Sequence, residues 1–428
     1  MSVTVLVRGA RQLLTLRGAA EPRRGAGLKE LGIIRDGALL IEDGRIAEVG
    51  TSRRVESLRV ARNSQEIDAT GRIVMPGFVD CHAHVVGAAP PVDEGEAGFA
   101  SWTPEVGRGT ATALQTLRNS SATRLESRAR QIVNGMARHG TTTLEAESGY
   151  GLDARGEIKV LRAHNRLNRA PLDIASTFLT PRSLPDEYAG DAAGYLAWVR
   201  GELLPAIRRR SFARYAGLRC GERVFDGEQE RGYLEAARKL GFELKIHAGS
   251  SAAADAMRLA MEVGAASLDG LQEEGAADVE GLWRSSTMAV LLPGDAFQQG
   301  VRDGKGRCAR ARPLIEGGAA LALGTNFNPG AASTYSMQAI VALACAQLGM
   351  SAEEAICGAT FNAACALGLG QETGSLEAGK AADLIMLNVS DYRDLPLRFG
   401  VNLVNRTVKR GVTIYLEGSV DKGDHESS

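Results

Sequence analysis

Short apolar runs alternate with segments of helical periodicity through the middle of the chain. Eight runs have the length of a strand, and apolar residues recur at helical spacing between most of them, for example in Gln229–Leu240 and Ala252–Val263. The eight runs are Ile73–Val79, Thr141–Glu145, Asp173–Leu179, Ala216–Cys220, Glu243–Ala248, Ala265–Asp269, Met288–Leu292 and Ala320–Thr325. Eight β–α alternations over about 300 residues favour an α/β protein of the (β/α)8 barrel type. Because the fourth and sixth runs are weak, a doubly wound open sheet remains the alternative.

Both ends of the chain have a different texture, made of short β-type runs. Near the amino terminus the turn dipeptide Asp43-Gly44 separates two of these runs, and near the carboxyl terminus Gly411 takes a similar turn position. We therefore predict that residues 1–74 and 375–428 together build one small β-sandwich domain and that residues 75–374 form the barrel.

Composition excludes several classes of function. The 428 residues are 44% hydrophobic and carry a formal net charge of -1. The sequence has no basic tail or charge block, so we expect neither a nucleic-acid partner nor a membrane-surface role. The six cysteines form no Cys-x-x-Cys pair, and the amino-terminal apolar stretch is broken by arginines. No window reaches the roughly 18 apolar residues of a spanning helix. These features predict a cytoplasmic protein.

Histidines stand at the carboxyl ends of predicted strands, where the active sites of such barrels form. Three of the chain's six histidines lie at predicted strand ends: His82 and His84 follow the first run, and His247 stands at the end of the fifth. Alternate residues of an extended segment face the same side, so His82 and His84 can share one ion. Three imidazoles leave a position open for water, as in catalytic zinc sites, and zinc or iron would suit them. The sequence thus predicts one divalent metal ion and a small-molecule substrate. The remaining His139 and His164 lie in helical patterns and are interpreted as surface or packing residues.

Several longer strings carry a family resemblance. They are Met75–His84, Thr141–Asp153, Thr177–Tyr188, Lys245–Ala248, Leu291–Phe297, Leu323–Gly330, Ala359–Gly368 and Gly374–Asp383. Together they extend along most of the chain and resemble the amidohydrolase superfamily, with the greatest likeness to imidazolonepropionase. The strings SGYGL and FNPG particularly suggest this branch. The resemblance implies hydrolysis of a C–N bond in a cyclic amide, and it implies a homodimer.

The resemblance also implies a metal held by the His-x-His pair, a later histidine and an aspartate after strand eight. His82, His84 and His247 match the first three ligands, but Asn326 stands where the aspartate is expected. The amide oxygen of Asn326 can still ligate an ion, whereas the amide cannot take a proton from water near neutral pH. Asn326 also removes one negative charge beside the ion, which we expect to weaken metal binding.

Other departures from the family pattern gather around the same expected site. Glu147 replaces a lysine, Arg182 lies in a string where a histidine is expected, and Glu222 comes one residue later than its counterpart. Tyr150, in contrast, matches a position that contacts substrate in the family. The residues assigned to the site are His82, His84, His247 and Asn326 as metal ligands, Asn326, Asp269 and Glu222 as catalytic groups, and Tyr150, Arg182 and Glu147 as substrate-binding groups.

Two main hypotheses follow from these changes. In the first, the chain is an amidohydrolase with a different substrate or reduced activity, and Glu145, Glu147, Glu222 or Asp269 replaces the missing base. In the second, it is a non-catalytic relative that kept the fold as a binding or structural protein. Loss of the strand-eight aspartate favours the second hypothesis, and retention of three histidines favours the first. A deaminase is less favoured, because Gly270 stands where that reaction would need a histidine on strand six.

Overall fold

The computed structural model of the chain describes residues 3–86, 117–181, 183–221, 224–249, 253–271, 279–303, 311–328, 332 and 334–419. Their strands are β1 (Thr4–Leu14), β2 (Ile33–Glu42), β3 (Arg45–Thr51), β4 (Gln65–Asp68), β5 (Ile73–Pro76), β6 (Phe78–Ala83), β7 (Thr141–Glu147), β8 (Asp173–Leu179), β9 (Tyr215–Cys220), β10 (Glu243–Ala248), β11 (Ser267–Asp269), β12 (Met288–Leu291), β13 (Leu321–Leu323), β14 (Leu384–Leu387), β15 (Val404–Lys409) and β16 (Val412–Leu416). Their α-helices are Ser52–Glu56, Ala122–Arg138, Ala154–Leu167, Ala192–Trp198, Leu204–Arg209, Gly227–Lys239, Ala253–Glu262, Val279–Arg284, Pro293–Asp303, Ala311–Glu316, Met337–Leu348, Ala352–Gly358, Phe361–Ala366 and Asp394–Leu397. Among the helices of these residues, none has both the length and the apolar character that crossing a bilayer requires.

Strands from both ends of the chain form one mixed sheet. Its order is β16-β15-β14-β5-β1-β2-β3, and β4 pairs in parallel with β1. A bulge at Gly9, which has a φ of 73°, divides β1, so that its first half pairs with β4 and its second half with β5. The neighbouring residues Val5 and Leu6 face two separate apolar clusters, so apolar side chains cover both faces of β1. Strands from both ends of the chain thus form a mixed sheet separate from the barrel, as the fold prediction expected, and the domain bounds 1–74 and 375–428 stay a prediction.

Eight parallel strands, β6 to β13, form a nearly closed barrel in which each strand pairs with the next one along the chain. The first and last strands meet at their carboxyl ends. There the backbone N–H of Asn326 donates to His82 O at 2.9 Å, and the N–H of His84 donates to Phe327 O at 2.8 Å. A doubly wound sheet reverses its strand order at a switch point, and this sheet keeps sequence order throughout. The barrel prediction is confirmed, and the open-sheet alternative is wrong.

The chain passes from the mixed sheet to the barrel at Gly77. We predicted a single barrel strand over Ile73–Val79, and this prediction is wrong: β5 pairs with β14 in the mixed sheet, and only β6 enters the barrel. At the junction the N–H of Gly77 donates to Asp383 O at 3.1 Å. A side chain at Gly77 would overlap that of Thr142 on β7, so the close approach of the two strands requires glycine here.

Side-chain caps fix where two barrel helices begin. Asp153 accepts a hydrogen bond from the backbone of Gly156 at 2.6 Å and starts the helix Ala154–Leu167. Asp226 forms a capping box with Gln229 and starts the helix Gly227–Lys239. These helices follow the carboxyl ends of β7 and β9, so their caps limit the length of the loops that surround the mouth of the barrel.

Candidate metal centre

Three histidines and two carboxylates converge at the carboxyl ends of four barrel strands. His82 and His84 come from the end of β6, Glu147 from β7, His247 from β10 and Asp269 from β11. All five residues are buried. The ring centroid of His82 lies 5.6 Å from that of His84 and 5.7 Å from that of His247. The structure thus brings together the three predicted histidine ligands with one predicted catalytic group and one predicted substrate-binding group.

Asp269 contacts two of the three imidazoles through the same type of nitrogen. Its Oδ2 atom lies 3.2 Å from His82 Nδ1, and its Oδ1 atom is hydrogen-bonded to His247 Nδ1. A carboxylate that accepts from Nδ1–H fixes the tautomer and orientation of the ring, and it leaves Nε2 as the nitrogen able to ligate an ion. Asp269 therefore acts on His82 and His247 as an orienting group.

Glu147 faces the other side of the histidine pair. Its Oε2 atom lies 3.3 Å from His82 Nε2 and 3.5 Å from His84 Nε2. Neither His82 Nε2 nor Glu147 Oε2 has a hydrogen-bond partner among the described residues, although both atoms are buried. Unpaired buried polar atoms are costly, and an ion ligated by them would remove that cost. These residues fit a divalent cation.

The electrostatic environment of the cluster also favours a cation. Burial disfavours a charge on His82, but the charges of Asp269 and Glu147 outweigh burial and raise its pKa to about 10. Burial raises the pKa of Glu147 to about 7, against the opposing effect of His82. Burial, together with the charge of His82, holds the pKa of His84 well below its ordinary value. His84 is thus a neutral imidazole with a lone pair available, and the carboxylates attract positive charge to His82.

Asn326 lies next to the histidines through its backbone. Its φ of 47° places it in the left-handed region, which asparagine tolerates better than most residues. The preceding Thr325 donates to Asp80 through its backbone N–H at 2.9 Å and through its hydroxyl at 2.6 Å. These bonds tie the segment after β13 to β6, and they place the buried Asn326 beside His82.

Of the three remaining predicted site residues, the structure describes only Tyr150. The ring of Tyr150 lies edge-on to that of His84, with centroids 5.1 Å apart, and its hydroxyl accepts a hydrogen bond from Asn328. Tyr150 therefore lies at the predicted site. Arg182 and Glu222 lie outside the described residues. Their proposed roles remain predictions.

Sequence analysis did not identify Arg219 as a site residue. It lies opposite His247 in the pairing of β9 with β10 and is only 5% exposed. The positive charge of Arg219 acts on Glu147, His84 and His247. The available signal was a lone cation within the apolar run Ala216–Cys220, next to the predicted carboxyl end of the strand.

Glu145 lies among buried side chains and does not supply a free acid at the mouth. Its Oε2 atom lies 2.6 Å from Lys245 Nζ, and its Oε1 atom accepts a hydrogen bond from the hydroxyl of Thr177. Glu145 and Lys245 precede Glu147 and His247 by two residues on their strands, so they form the layer beneath the histidines. The pair joins β7 to β10 and supports the site from below.

Comparison with known proteins agrees with this architecture. A model of the amidohydrolase family matches residues 228–414. An imidazolonepropionase from Symbiobacterium thermophilum is 38% identical, with the match covering 98% of this chain and 99% of that protein. Another from Solibacter usitatus is also 38% identical, over 95% of this chain and 97% of that protein. The chain therefore belongs to the amidohydrolase family. Its full-length relatives within that family include imidazolonepropionases, as the sequence strings indicated.

The fold also agrees with solved structures. An atrazine chlorohydrolase mutant from Arthrobacter aurescens, solved with zinc and atraton, matches with a TM-score of 0.74. The match covers 98% of this chain and 97% of that one at 17% identity. At this identity the likeness establishes the fold alone, which is a (β/α)8 barrel with an attached mixed sheet.

Proposed function

We propose that the chain is a metal-dependent hydrolase that opens a C–N bond of a cyclic amide. It resembles an imidazolonepropionase, and we propose that its substrate differs or that its activity is reduced. The observation that carries this proposal is a pair of buried groups that share His82 at the barrel mouth, one with His84 and Glu147 and the other with His247 and Asp269. Among the described residues, His82 Nε2 and Glu147 Oε2 have no hydrogen-bond partner. His82, His84 and His247 would hold one zinc or iron ion, with Asn326 beside them.

Residues of the chain would bind the ion, orient its ligands and set the charge of the site. When bound, a divalent ion polarises a carbonyl oxygen and lowers the pKa of a water molecule. Asp269 holds the rings of His82 and His247 through Nδ1. The positive charge of Arg219 suits an anionic group of a substrate, and Tyr150 is placed to contact the substrate beside His84.

Proton transfer is where this chain departs from the pattern that the family resemblance implies. Asn326 cannot accept a proton near neutral pH, and both oxygens of Asp269 are already in contact with histidines. A positioned base contributes about 10²–10⁴-fold to a rate, so its loss would slow the reaction without abolishing it. This reasoning supports a reduced rate or a substrate with a more reactive ring. Glu222 remains a candidate base from the sequence.

A second candidate function is a non-catalytic relative that binds a metal or a small molecule. The neutral Asn326 favours this alternative, because a carboxylate at that position could both ligate an ion and accept a proton. The hydrolase turns over a substrate, whereas the non-catalytic relative does not. A relative that had also lost metal binding would keep only a vestigial site.

Elemental analysis combined with a turnover assay tests the proposal. We expect the full chain, purified under metal-replete conditions, to hold about one equivalent of zinc or iron and to hydrolyse at least one ring in a panel of imidazolones, hydantoins and lactams. Metal without turnover on a broad panel would favour the non-catalytic relative. Protein with neither metal nor turnover would exclude a metal-dependent hydrolase.

A double variant provides the control for the site assignment. We expect His82→Ala with His84→Ala to remove the metal while the circular dichroism spectrum stays that of the folded chain. Equal metal content in wild type and double variant would place the ion elsewhere.

A cytoplasmic location and a homodimer belong to the same proposal, and cell fractionation and light scattering test them.

A further inference from the structure

We propose that Glu147 supplies the carboxylate ligand of the metal ion, so that the anionic ligand comes from the carboxyl end of β7. The inference rests on the proposed function in one respect, because it assumes that a divalent ion occupies the histidine site. It changes the role assigned to Glu147 from substrate binding to metal binding.

The distances between the candidate ligand atoms agree with tetrahedral coordination. Two nitrogen or oxygen atoms bound to zinc at about 2.0–2.1 Å in a tetrahedron lie about 3.3–3.4 Å apart. Glu147 Oε2 lies 3.3 Å from His82 Nε2 and 3.5 Å from His84 Nε2. Among the described residues, these three side chains form one of two groups of His, Cys, Asp and Glu able to hold an ion. One ion placed among these atoms could therefore reach the carboxylate oxygen and both imidazole nitrogens.

Among the carboxylates of this cluster, Glu147 has an oxygen atom without a hydrogen-bond partner in the described part of the chain. Both oxygens of Asp269 contact histidines, and Glu145 is paired with Lys245. Asp80 accepts two hydrogen bonds from Thr325. Glu147 Oε2, in contrast, is buried and has no hydrogen-bond partner within the described part of the chain. The other carboxylates already have structural contacts, and Glu147 is free to ligate.

The backbone holds Glu147 where a ligand is needed. It is the last residue of β7 and pairs with Thr177 on β8. The next backbone N–H, that of Ser148, donates to Thr177 O at 3.0 Å, so the strand edge is fixed beyond the ligand. An imidazole that ligates an ion is a neutral ligand, as is Asn326, so the carboxylate of Glu147 would supply negative charge in direct contact with the dication.

The test compares metal affinity in wild type and in Glu147→Gln, which removes the charge and keeps the shape of the side chain. Full chains are stripped with a chelator and titrated with Zn²⁺ against a chromophoric competitor. We expect Glu147→Gln to weaken zinc binding by about 10–100-fold or more, because even groups outside the ligand set change affinity by that amount. Binding as tight as in wild type would overturn the inference and leave the metal-dependent function standing. Wild type that binds no ion would overturn both.

A matched control and a rescue variant separate ligation from folding. Asp153→Asn makes the same acid-to-amide change at a residue where asparagine also caps the helix, so we expect unchanged zinc affinity. Asn326→Asp added to Glu147→Gln returns a carboxylate beside His82, and we expect tighter zinc binding than in Glu147→Gln alone. Equal binding by the double and single variants would contradict the view that the negative charge is what Glu147 provides.

The visible spectrum of bound Co²⁺ gives a second readout, which does not require the Glu147→Gln variant to fold. Its bands report the number and type of ligands. We expect Glu147→Asp, which keeps the charge and shortens the side chain, to shift these bands relative to wild type. Identical Co²⁺ spectra for wild type and Glu147→Asp would overturn the assignment of Glu147 as a ligand.

Discussion

His164 is a fully buried histidine without a hydrogen-bond partner for either ring nitrogen among the described residues. It lies on the helix Ala154–Leu167, beside apolar residues such as Val160 and Leu167. Burial lowers its pKa to about 3, so the ring is neutral in the folded chain at any physiological pH. The expectation that His164 is a packing residue agrees with this environment, and its cost to stability can be measured.

We predict that His164→Leu stabilises the chain, and more strongly in acid. A folded-state pKa of about 3 lies below the ordinary value of 6.5, so the unfolded chain binds the proton more readily. The stability of wild type should therefore be complete above pH 6.5 and fall as the pH decreases toward 3. Removing two unpaired nitrogens should add about 1–3 kcal/mol to the free energy of unfolding at pH 7.

Urea unfolding of wild type and His164→Leu at pH 7 and pH 5 checks this prediction. The difference between the two proteins should be larger at pH 5, because the protonation of wild-type His164 on unfolding contributes only there. A variant less stable than wild type at both values would mean that the ring nitrogens make favourable contacts. Unchanged zinc affinity in the variant confirms that the effect does not arise at the metal site.

At the scale of elements, one buried acid shapes the loop between β7 and the helix that follows. The carboxylate of Glu157 accepts backbone hydrogen bonds from Gly149 at 3.1 Å, Gly151 at 2.6 Å and Leu152 at 3.1 Å. A side chain at Gly151 would overlap the backbone of Glu157, so the loop can approach the helix only with glycine there. The acid thus fixes a loop that carries Tyr150 to the ring of His84.

We predict that Glu157→Gln loosens this loop without weakening metal binding. The amide presents one oxygen where the carboxylate presented two, so at least one buried backbone N–H loses its acceptor, at a cost of about 1–3 kcal/mol. Hydrogen exchange of a peptide covering residues 148–153 should become faster, while zinc affinity stays that of wild type. The exposed Glu262→Gln, whose partner Arg231 lies on the helix Gly227–Lys239, is the control and should leave exchange in this peptide unchanged. Exchange as slow as in wild type would show that other contacts hold the loop.

Strand patterns predicted most of the barrel but not the division of its first run. Ile73–Val79 is continuous in hydrophobicity because β5 and β6 are both buried, so periodicity alone cannot show that two sheets share it. The sign of a break was Gly77, whose approach to Thr142 depends on tertiary contacts. The weak sixth run is only three residues long in the structure, Ser267–Asp269, yet it carries an acid of the site.

At the scale of the whole molecule, the sequence identified the histidines of the site better than their partners. His82, His84 and His247 were predictable because strand ends meet at the barrel mouth. The position of Asp269 between two rings depends on how neighbouring strands pair, as does that of Arg219 opposite His247. The register between neighbouring strands is set by packing across the whole barrel, which no local sequence pattern records.

The mixed sheet and the barrel are joined by a buried ion network at the end of the barrel away from the site. Lys409 Nζ lies 2.7 Å from Asp383 Oδ2 and 2.8 Å from Asp173 Oδ2. Lys409 belongs to β15 of the mixed sheet, whereas Asp173 begins β8 of the barrel. Burial opposes ionisation of Asp173, but the charge of Lys409 outweighs burial and lowers its pKa. One cation thus links two parts of the fold.

We predict that Lys409→Met destabilises the whole chain by about 3–5 kcal/mol, because it leaves the buried carboxylate of Asp383 without its cation, while Asp173 keeps the partly exposed Arg410. The free energy of unfolding in urea at pH 7 measures the effect. In wild type, the lowered pKa of Asp173 gives stability that is present above about pH 4 and lost as the pH falls further, and this acid sensitivity should shrink in the variant. The control is Arg8→Met, whose pair with Glu66 is exposed and whose loss should change the free energy of unfolding far less. Equal losses in the two variants would mean that the buried network does not hold the mixed sheet and the barrel together.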